Sequence, residues 1–179
     1  AKGSPAAEVV HTFTQATYDD ADALVAFGKS IDAVTSEFEN VPAKTLDILS
    51  AFCPVSPGHS ALHVAQNRLR EKTLAAGLGI KTPLFWAVRS ADDLASALSE
   101  LDGKGVLKTT EQGYDGKGQM RVNTGDDAVS LWRDINTDDA ILESFIDFTA
   151  EVSFLVWRDT KGQTGVFPAA LNTHKNGIL

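Results

Sequence analysis

Three glycines fall within six positions in Gly113-Tyr114-Asp115-Gly116-Lys117-Gly118, followed by Gln119. Such spacing lets a backbone approach a ligand closely and turn its N–H groups toward an anion. It also suits an ordinary hairpin turn. It is neither the dinucleotide fingerprint nor the Walker sequence, because both spacings differ and no helix opens from it. Lys108 lies just upstream, on a segment whose other residues, Val106 and Leu107, are apolar. A lysine entering an interior needs a counter-group such as a phosphate, whereas a lysine on an edge strand simply reaches water. Glu143 sits inside the apolar run Leu142 to Ile146, and Glu151 begins the next one. Carboxylates in that setting take a cation, a metal or a donor if buried, and solvent if they sit at strand ends.

Other groups are weaker signals. Arg68 and Lys72 are four apart and share a helix face, as phosphate ligands or as a solvated basic face. Glu37 lies in Thr35-Ser36-Glu37-Phe38-Glu39-Asn40, which follows a strand-like segment where open α/β sheets set their ligand loops. His174 stands alone, and a lone histidine is more often structural than catalytic. His11, His59, His63 and His174 make no zinc spacing. Cys53 lies between Phe52 and Pro54 and reads as a packed, inert thiol. No Gly-x-Ser-x-Gly elbow is present.

The elements that must position these groups alternate. Asp19-Asp20 precede a short helix through Ala23 to Phe27, Ile31 to Thr35 reads as a strand, and Pro42 to Phe52 as a helix. Pro54, Pro57 and Gly58 interrupt the series and mark a boundary. Ser60 to Leu78 reads as one long helix ending at Gly79. Leu84 to Val88 is a strand, and Ser90 caps a helix over 91–101. Val106 to Thr109 and Gln119 to Val122 flank the glycine segment as a hairpin. Asp126 to Ile135 reads as a helix, and Ala140 to Ile146, Glu151 to Arg158 and Thr164 to Ala169 as strands. Both faces of Glu151 to Arg158 are apolar, which predicts burial on both sides. The rhythm is that of an α/β (α+β) protein.

Composition narrows the function classes. The 179 residues carry 16 Lys+Arg against 24 Asp+Glu, a net charge of −8, which disfavours nucleic acid or an anionic membrane as partner. No apolar run approaches the ~20 residues of a membrane span. One cysteine cannot form an internal disulfide, so a cytoplasmic, reduced setting is expected. The charge is uneven: the net is −5 over 1–58, +2 over 59–125 and −5 over 126–179, so a nucleotide phosphate would meet the middle. The chain opens without methionine and closes on Ile178-Leu179, which is expected of a piece of a longer protein.

Together, Arg68-x-x-x-Lys72, Lys108, the segment Gly113 to Gln119, Glu143, Glu151 and the ending Asn172-x-His174-x-Asn176-Gly-Ile-Leu179 resemble the N5-carboxyaminoimidazole ribonucleotide synthetases, ATP-grasp enzymes of purine biosynthesis. Gly-Tyr-Asp-Gly-Lys-Gly-Gln and Glu37-Phe38-Glu39-Asn40-Val41-Pro42 are its most specific pieces, and the likeness runs from about Ser4 to Leu179. The resemblance implies an ATP-grasp fold in three parts: a truncated Rossmann-like pre-ATP-grasp layer over 1–58, connecting helices and the ATP lid over 59–146, and the start of the second ATP-grasp subdomain over 147–179. It implies ATP- and bicarbonate-dependent carboxylation of 5-aminoimidazole ribonucleotide through carboxyphosphate.

Residue by residue, the resemblance gives Arg68 and Lys108 to the ATP phosphates. It makes Gly113, Tyr114, Asp115, Gly116, Lys117, Gly118 and Gln119 a lid over them. Glu143, Ser144, Phe145 and Ile146 would line an adenine slot between two sheets, Glu151 would hold the ribose, and His174 would approach the phosphates or second substrate. Tyr114, Asp115 and Lys117 fall to the catalytic side, with Glu37 and Tyr114 toward the aminoimidazole. The family's first strand and its glycine-rich turn are absent. So is the part carrying its Asn-Glu magnesium ligands, so Mg2+ is expected to be held outside these residues and the piece to be inactive alone. A homodimer is implied, with small-molecule substrates and neither nucleic acid nor membrane as partner. The competing expectations are another ATP-grasp ligase, such as the formate-using glycinamide ribonucleotide transformylase or a biotin-carboxylase-like protein, and a non-catalytic nucleotide-binding module.

Overall fold

A computed structural model describes residues 3–111 and 118–173, which form two units meeting at Gly79 and Ile80. The first unit is helical. It holds α1 (Pro5–Val9), α2 (Ala21–Lys29), α3 (Ala43–Ser50), α4 (His59–Ala65) and α5 (Arg68–Gly77). Asp20 caps α2 through its carboxylate, which accepts from the Ala23 amide at 3.0 Å. Leu24, Val41, Leu46, Leu49, Cys53 and Leu62 are buried, so Cys53 is packed as expected. Buried Thr45 donates its hydroxyl to the Tyr18 carbonyl at 2.7 Å, fastening α3 to the segment before α2.

Two expectations fail in this unit. The Ile31 to Thr35 strand shrinks to a single parallel bridge, Val34 to Val55, because too few neighbouring residues pair to extend a ladder. The long helix over 60–78 is two helices. Asn67 breaks it by leaving helical geometry (φ −139°, ψ 117°) and turning its side-chain oxygen onto the amides of Leu69 and Arg70, both at 3.1 Å. Asn competes with helical hydrogen bonds in this way and so favours caps over interiors. Gln66 locks the break by donating to the carbonyls of Glu39 and Val41, each at 2.6 Å.

The second unit is built on a sheet of β1 (Phe85–Val88), β2 (Lys104–Thr109), β3 (Gln119–Asn123) and β4 (Ala140–Ser144), in the order β1-β4-β2-β3 with every pair antiparallel. The helices α6 (Ala91–Glu100) and α7 (Ala128–Ile135) join it, capped by Ser90 and Asp127. Side chains alternate across a strand. Val88, Leu107, Val122, Ala140 and Leu142 therefore share the face that packs on Leu94, Ala97, Leu98, Leu101, Ala128 and Ile135 of the helical layer. The opposite face carries Lys104, Val106, Lys108, Gln119, Arg121, Asn123, Ile141 and Glu143. Gly105 belongs to the packed face. A Cβ there would lie 3.0 Å from the Glu143 carbonyl oxygen and from Leu101 Cδ2, so a side chain at that crossing would push on β4 and Leu101.

Two small two-stranded sheets follow. β5 (Glu151–Ser153) pairs with β8 (Ala170–Asn172), and β6 (Val156–Arg158) pairs with β7 (Thr164–Val166). The expected single strand over 151–158 is thus split. Its apolar residues are exposed rather than buried on both sides, with Val156 at 73% and Trp157 at 47%. The alternation there describes sheet faces that nothing among the described residues covers.

Candidate functional site

Strand register builds the centre of the site. Val106 of β2 stands opposite Arg121 on one side and Glu143 on the other, so Lys108 is the diagonal neighbour of Glu143 on the same face. The Lys108 ammonium lies 3.1 Å from Glu143 Oε2. The Glu143 side chain is only 9% exposed and that of Lys108 25%. A nearly dry carboxylate is costly without a cation, and this ammonium supplies one. The lysine reading as an interior residue and the glutamate reading as a buried acid are both correct. Chemically, the pair offers a cation for an anionic ligand beside a carboxylate that can take a donor.

The glycine segment is rooted beside that pair. Lys108 is in register with Gln119, and the Thr109 amide donates to the Gly118 carbonyl at 2.9 Å, closing the stem of the expected hairpin. Gly118 has φ +71°, which glycine adopts without strain. Gly113, Tyr114, Asp115, Gly116 and Lys117 lie outside the described residues, as does His174. The strand end is pinned by buried Thr110, whose hydroxyl donates to Asp139 Oδ2 at 2.9 Å, while Arg89 Nε holds the other carboxylate oxygen at 3.2 Å. Thr110, Asp139 and Arg89 were not legible as supports, since their spacing spans fifty residues and follows no motif.

The segment Glu143 to Ile146 leaves β4 beside the same face. The Ser144 amide donates to the Leu84 carbonyl and the Phe145 amide to the Lys104 carbonyl, each at 2.9 Å. Ile146 is 49% exposed. Glu151 opens β5 and accepts from Asn172 Nδ2 at 2.8 Å across the β5–β8 pair, while the same amide reaches Ser153 Oγ at 2.8 Å. Asn172 thus orients the carboxylate expected to meet a ribose, and the sequence named it only as part of an ending.

Arg68 and Glu37 belong to the first unit. Arg68 is the first residue of α5, directly after the Asn67 cap, so that cap fixes where its side chain starts. Lys72 follows one turn later on the expected face. Burial pushes the Glu71 carboxyl up from its ordinary range, while Arg68 and Lys72 pull it back. Glu37 lines a cavity of about 370 Å³ with Tyr18, Phe27, Val34, Phe38 and Leu49, within the same unit. Its Ser36 neighbour donates to the Phe38 carbonyl at 3.0 Å and shapes the loop. Among the described residues no group of three or more histidines, cysteines or acids could hold a metal ion, and no helix is long and apolar enough to cross a membrane.

Residues 73–179 match the ATP-grasp domain family, and residues 1–66 match the ribonucleotide synthetase preATP-grasp domain family. The chain is 41% identical over 179 residues to the N5-carboxyaminoimidazole ribonucleotide synthase of Brucella melitensis biotype 1, covering 99% of this chain and 49% of that protein. It is 41% identical over 165 residues to the Pseudomonas aeruginosa protein of the same name, covering 92% and 46%. Among solved structures, it is similar to N5-carboxyaminoimidazole synthetase from Staphylococcus aureus complexed with ADP, with a TM-score of 0.90 at 35% identity over 97% of this chain and 47% of that one. The N5-carboxyaminoimidazole ribonucleotide synthetase of Thermus thermophilus gives 0.82 at 37% identity over 91% and 44%. The chain spans about half the length of the curated relatives it matches.

Proposed function

The chain belongs to the ATP-grasp family, and on that premise we propose that it serves an ATP-dependent carbon–nitrogen ligase that carboxylates 5-aminoimidazole ribonucleotide with bicarbonate. The observation that carries this reading is the Lys108–Glu143 pair on the sheet face opposite the helices, at the root of Gly-Tyr-Asp-Gly-Lys-Gly-Gln. The likeness to proteins named for this activity, one of them complexed with ADP, supports it.

In the proposed reaction a bicarbonate oxygen attacks the γ-phosphorus of ATP, the bond to the β-phosphate oxygen breaks, and ADP leaves. The product is carboxyphosphate. The substrate amine nitrogen then forms a bond to the carboxyl carbon, phosphate departs, and the amine gives up a proton. Lys108 and Arg68 neutralise charge developing on the transferred phosphoryl group, a stabilisation strongest where water is scarce. Lys108 turns from Glu143 toward phosphate as ATP arrives, and Glu143 then takes a donor from the base. Ser144, Phe145 and Ile146 line the adenine. Glu151, held by Asn172, accepts from the ribose hydroxyls. Gly113 to Gln119 covers the phosphates and excludes water, with Tyr114, Asp115 and Lys117 facing the carboxyphosphate. His174 approaches the phosphates, and Glu37 the aminoimidazole.

Within this reading, residues 1–58 are the pre-ATP-grasp part, 59–146 the lid with its connecting helices, and 147–179 the start of the second subdomain. Magnesium accompanies ATP on ligands outside these residues. The working protein is a cytoplasmic homodimer. The test is ADP release measured with and without each substrate. The 179-residue chain is expected to bind ATP without turnover. Fused to the C-terminal half of the Brucella relative, it is expected to release ADP only with both bicarbonate and 5-aminoimidazole ribonucleotide. Turnover that follows formate instead, or turnover by the 179-residue chain alone, contradicts the proposal.

A further inference from the structure

The face of the four-stranded sheet opposite its helices carries a second group of cations that the nucleotide reading leaves unused. Lys104 and Arg121 are diagonal neighbours across β2 and β3, a relation that sets their backbones about 7–8 Å apart with side chains on one face. Both are exposed. Among the described residues neither makes an ion pair, although the chain has eight more acids than bases. The Arg121 guanidinium instead lies over the Phe145 ring, 5.2 Å from its centroid. Phe145 is itself held against β2 by its amide, which donates to the Lys104 carbonyl at 2.9 Å. These residues line a cleft of about 280 Å³ with Gly105, Val122 and Asn123. The neighbouring acid, Asp126, is turned back on its own loop, where its Oδ2 accepts from the Asn123 amide at 2.7 Å and from Asn123 Nδ2 at 3.4 Å.

We propose that this cleft is an oxyanion site in its own right, taking phosphate or the phosphate monoester of a small planar group. Arg121 is already ordered by the ring beneath it, so less side-chain freedom is lost when its outer N–H groups meet an anion. Lys104 adds a second, mobile charge from the adjacent strand. The aromatic floor gives a planar ester a surface that inorganic phosphate cannot use. The site shares Phe145 with the proposed adenine slot but uses neither Lys108 nor Glu143, and it does not rest on the proposed carboxylation.

Amide chemical shifts of the 179-residue chain would be followed while inorganic phosphate or phenyl phosphate is added. The expected result is saturable shifts centred on Lys104, Arg121, Asn123 and Phe145, with phenyl phosphate the tighter ligand. Arg121→Met and Lys104→Met should each weaken binding on the order of tenfold, as loss of one charge-assisted contact does. The double variant Lys108→Met with Glu143→Gln, which keeps the buried pair neutral, should bind as the parent does. Shifts centred elsewhere, unchanged affinity in Arg121→Met, or no saturation by about 20 mM, where added salt itself begins to screen, overturn the proposal. Loss of binding in the double variant overturns it too, by making the cleft depend on the Lys108–Glu143 pair.

Discussion

Removing Lys108 should cost the second unit a sizeable share of its stability, and changing Glu143 along with it should add nothing to that cost. At 3.1 Å the pair has a gross attraction of about 5 kcal/mol at an effective dielectric near 20. Desolvation offsets part of this, and breaking a fully buried pair typically costs about 3–5 kcal/mol. The Lys108 side chain is 25% exposed, so water enters as the ammonium leaves and the expected loss for Lys108→Met falls to about 2–3 kcal/mol. Glu143→Gln keeps an acceptor for Lys108 and should cost about 1–2 kcal/mol. The double variant carries no buried charge and should also lose only about 2 kcal/mol, leaving a coupling of about 2 kcal/mol. The assay is urea unfolding read from the fluorescence of Trp86 and Trp132, which pack against the core of this sheet. Single losses that simply add in the double variant, within about 0.5 kcal/mol, would refute the claim that Lys108 is what makes the Glu143 charge tolerable.

Three further outcomes follow from local geometry. Asn67→Ala should lower stability by about 1 kcal/mol, because the Leu69 and Arg70 amides both lose their acceptor; it should also weaken ATP binding through the Arg68 start of α5, and equal affinity in the variant would remove the cap from the site. Gly105→Ala should cost about 1–3 kcal/mol, since three atoms at 3.0–3.1 Å leave no room for a methyl group, and an unchanged urea midpoint would contradict that packing. Asp127 has its carboxyl held below the ordinary aspartate range, chiefly by the Ser130 hydroxyl and also by the Val129 and Ser130 amides. A depressed folded-state value contributes stability above the ordinary range that is lost as pH falls, so the advantage of the parent over Asp127→Asn should shrink on acidification, whereas a pH-independent gap in Trp132 fluorescence unfolding would refute it.

The sequence and the structure agree best where a single short-range rule decides. Asp20, Ser90 and Asp127 cap helices as their positions imply, because a cap needs only a side chain and an amide three residues on. The hairpin around the glycine segment was legible for the same reason. The break at Asn67 was not, since apolar spacing continues through it and only the loop carbonyls that Gln66 reaches make the break worthwhile. The strand at 31–35 fails because a strand exists only where a partner lies beside it. In the site, Lys108 and Glu143 were readable as charged residues in apolar runs. Their mutual contact was not, because thirty-five residues and a sheet register separate them. Asn172 behind Glu151 and Arg121 over Phe145 are likewise products of register and leave no trace in spacing.

Isothermal titration of ATP into the 179-residue chain and its Lys108→Met/Glu143→Gln variant would show whether the Lys108 face of the sheet binds ATP. The expected result is measurable binding that weakens about 10- to 100-fold in the variant, from the loss of one charge-assisted phosphate contact and of the donor-accepting carboxylate. Equal affinity in the two proteins, or no binding by the parent chain, would contradict it.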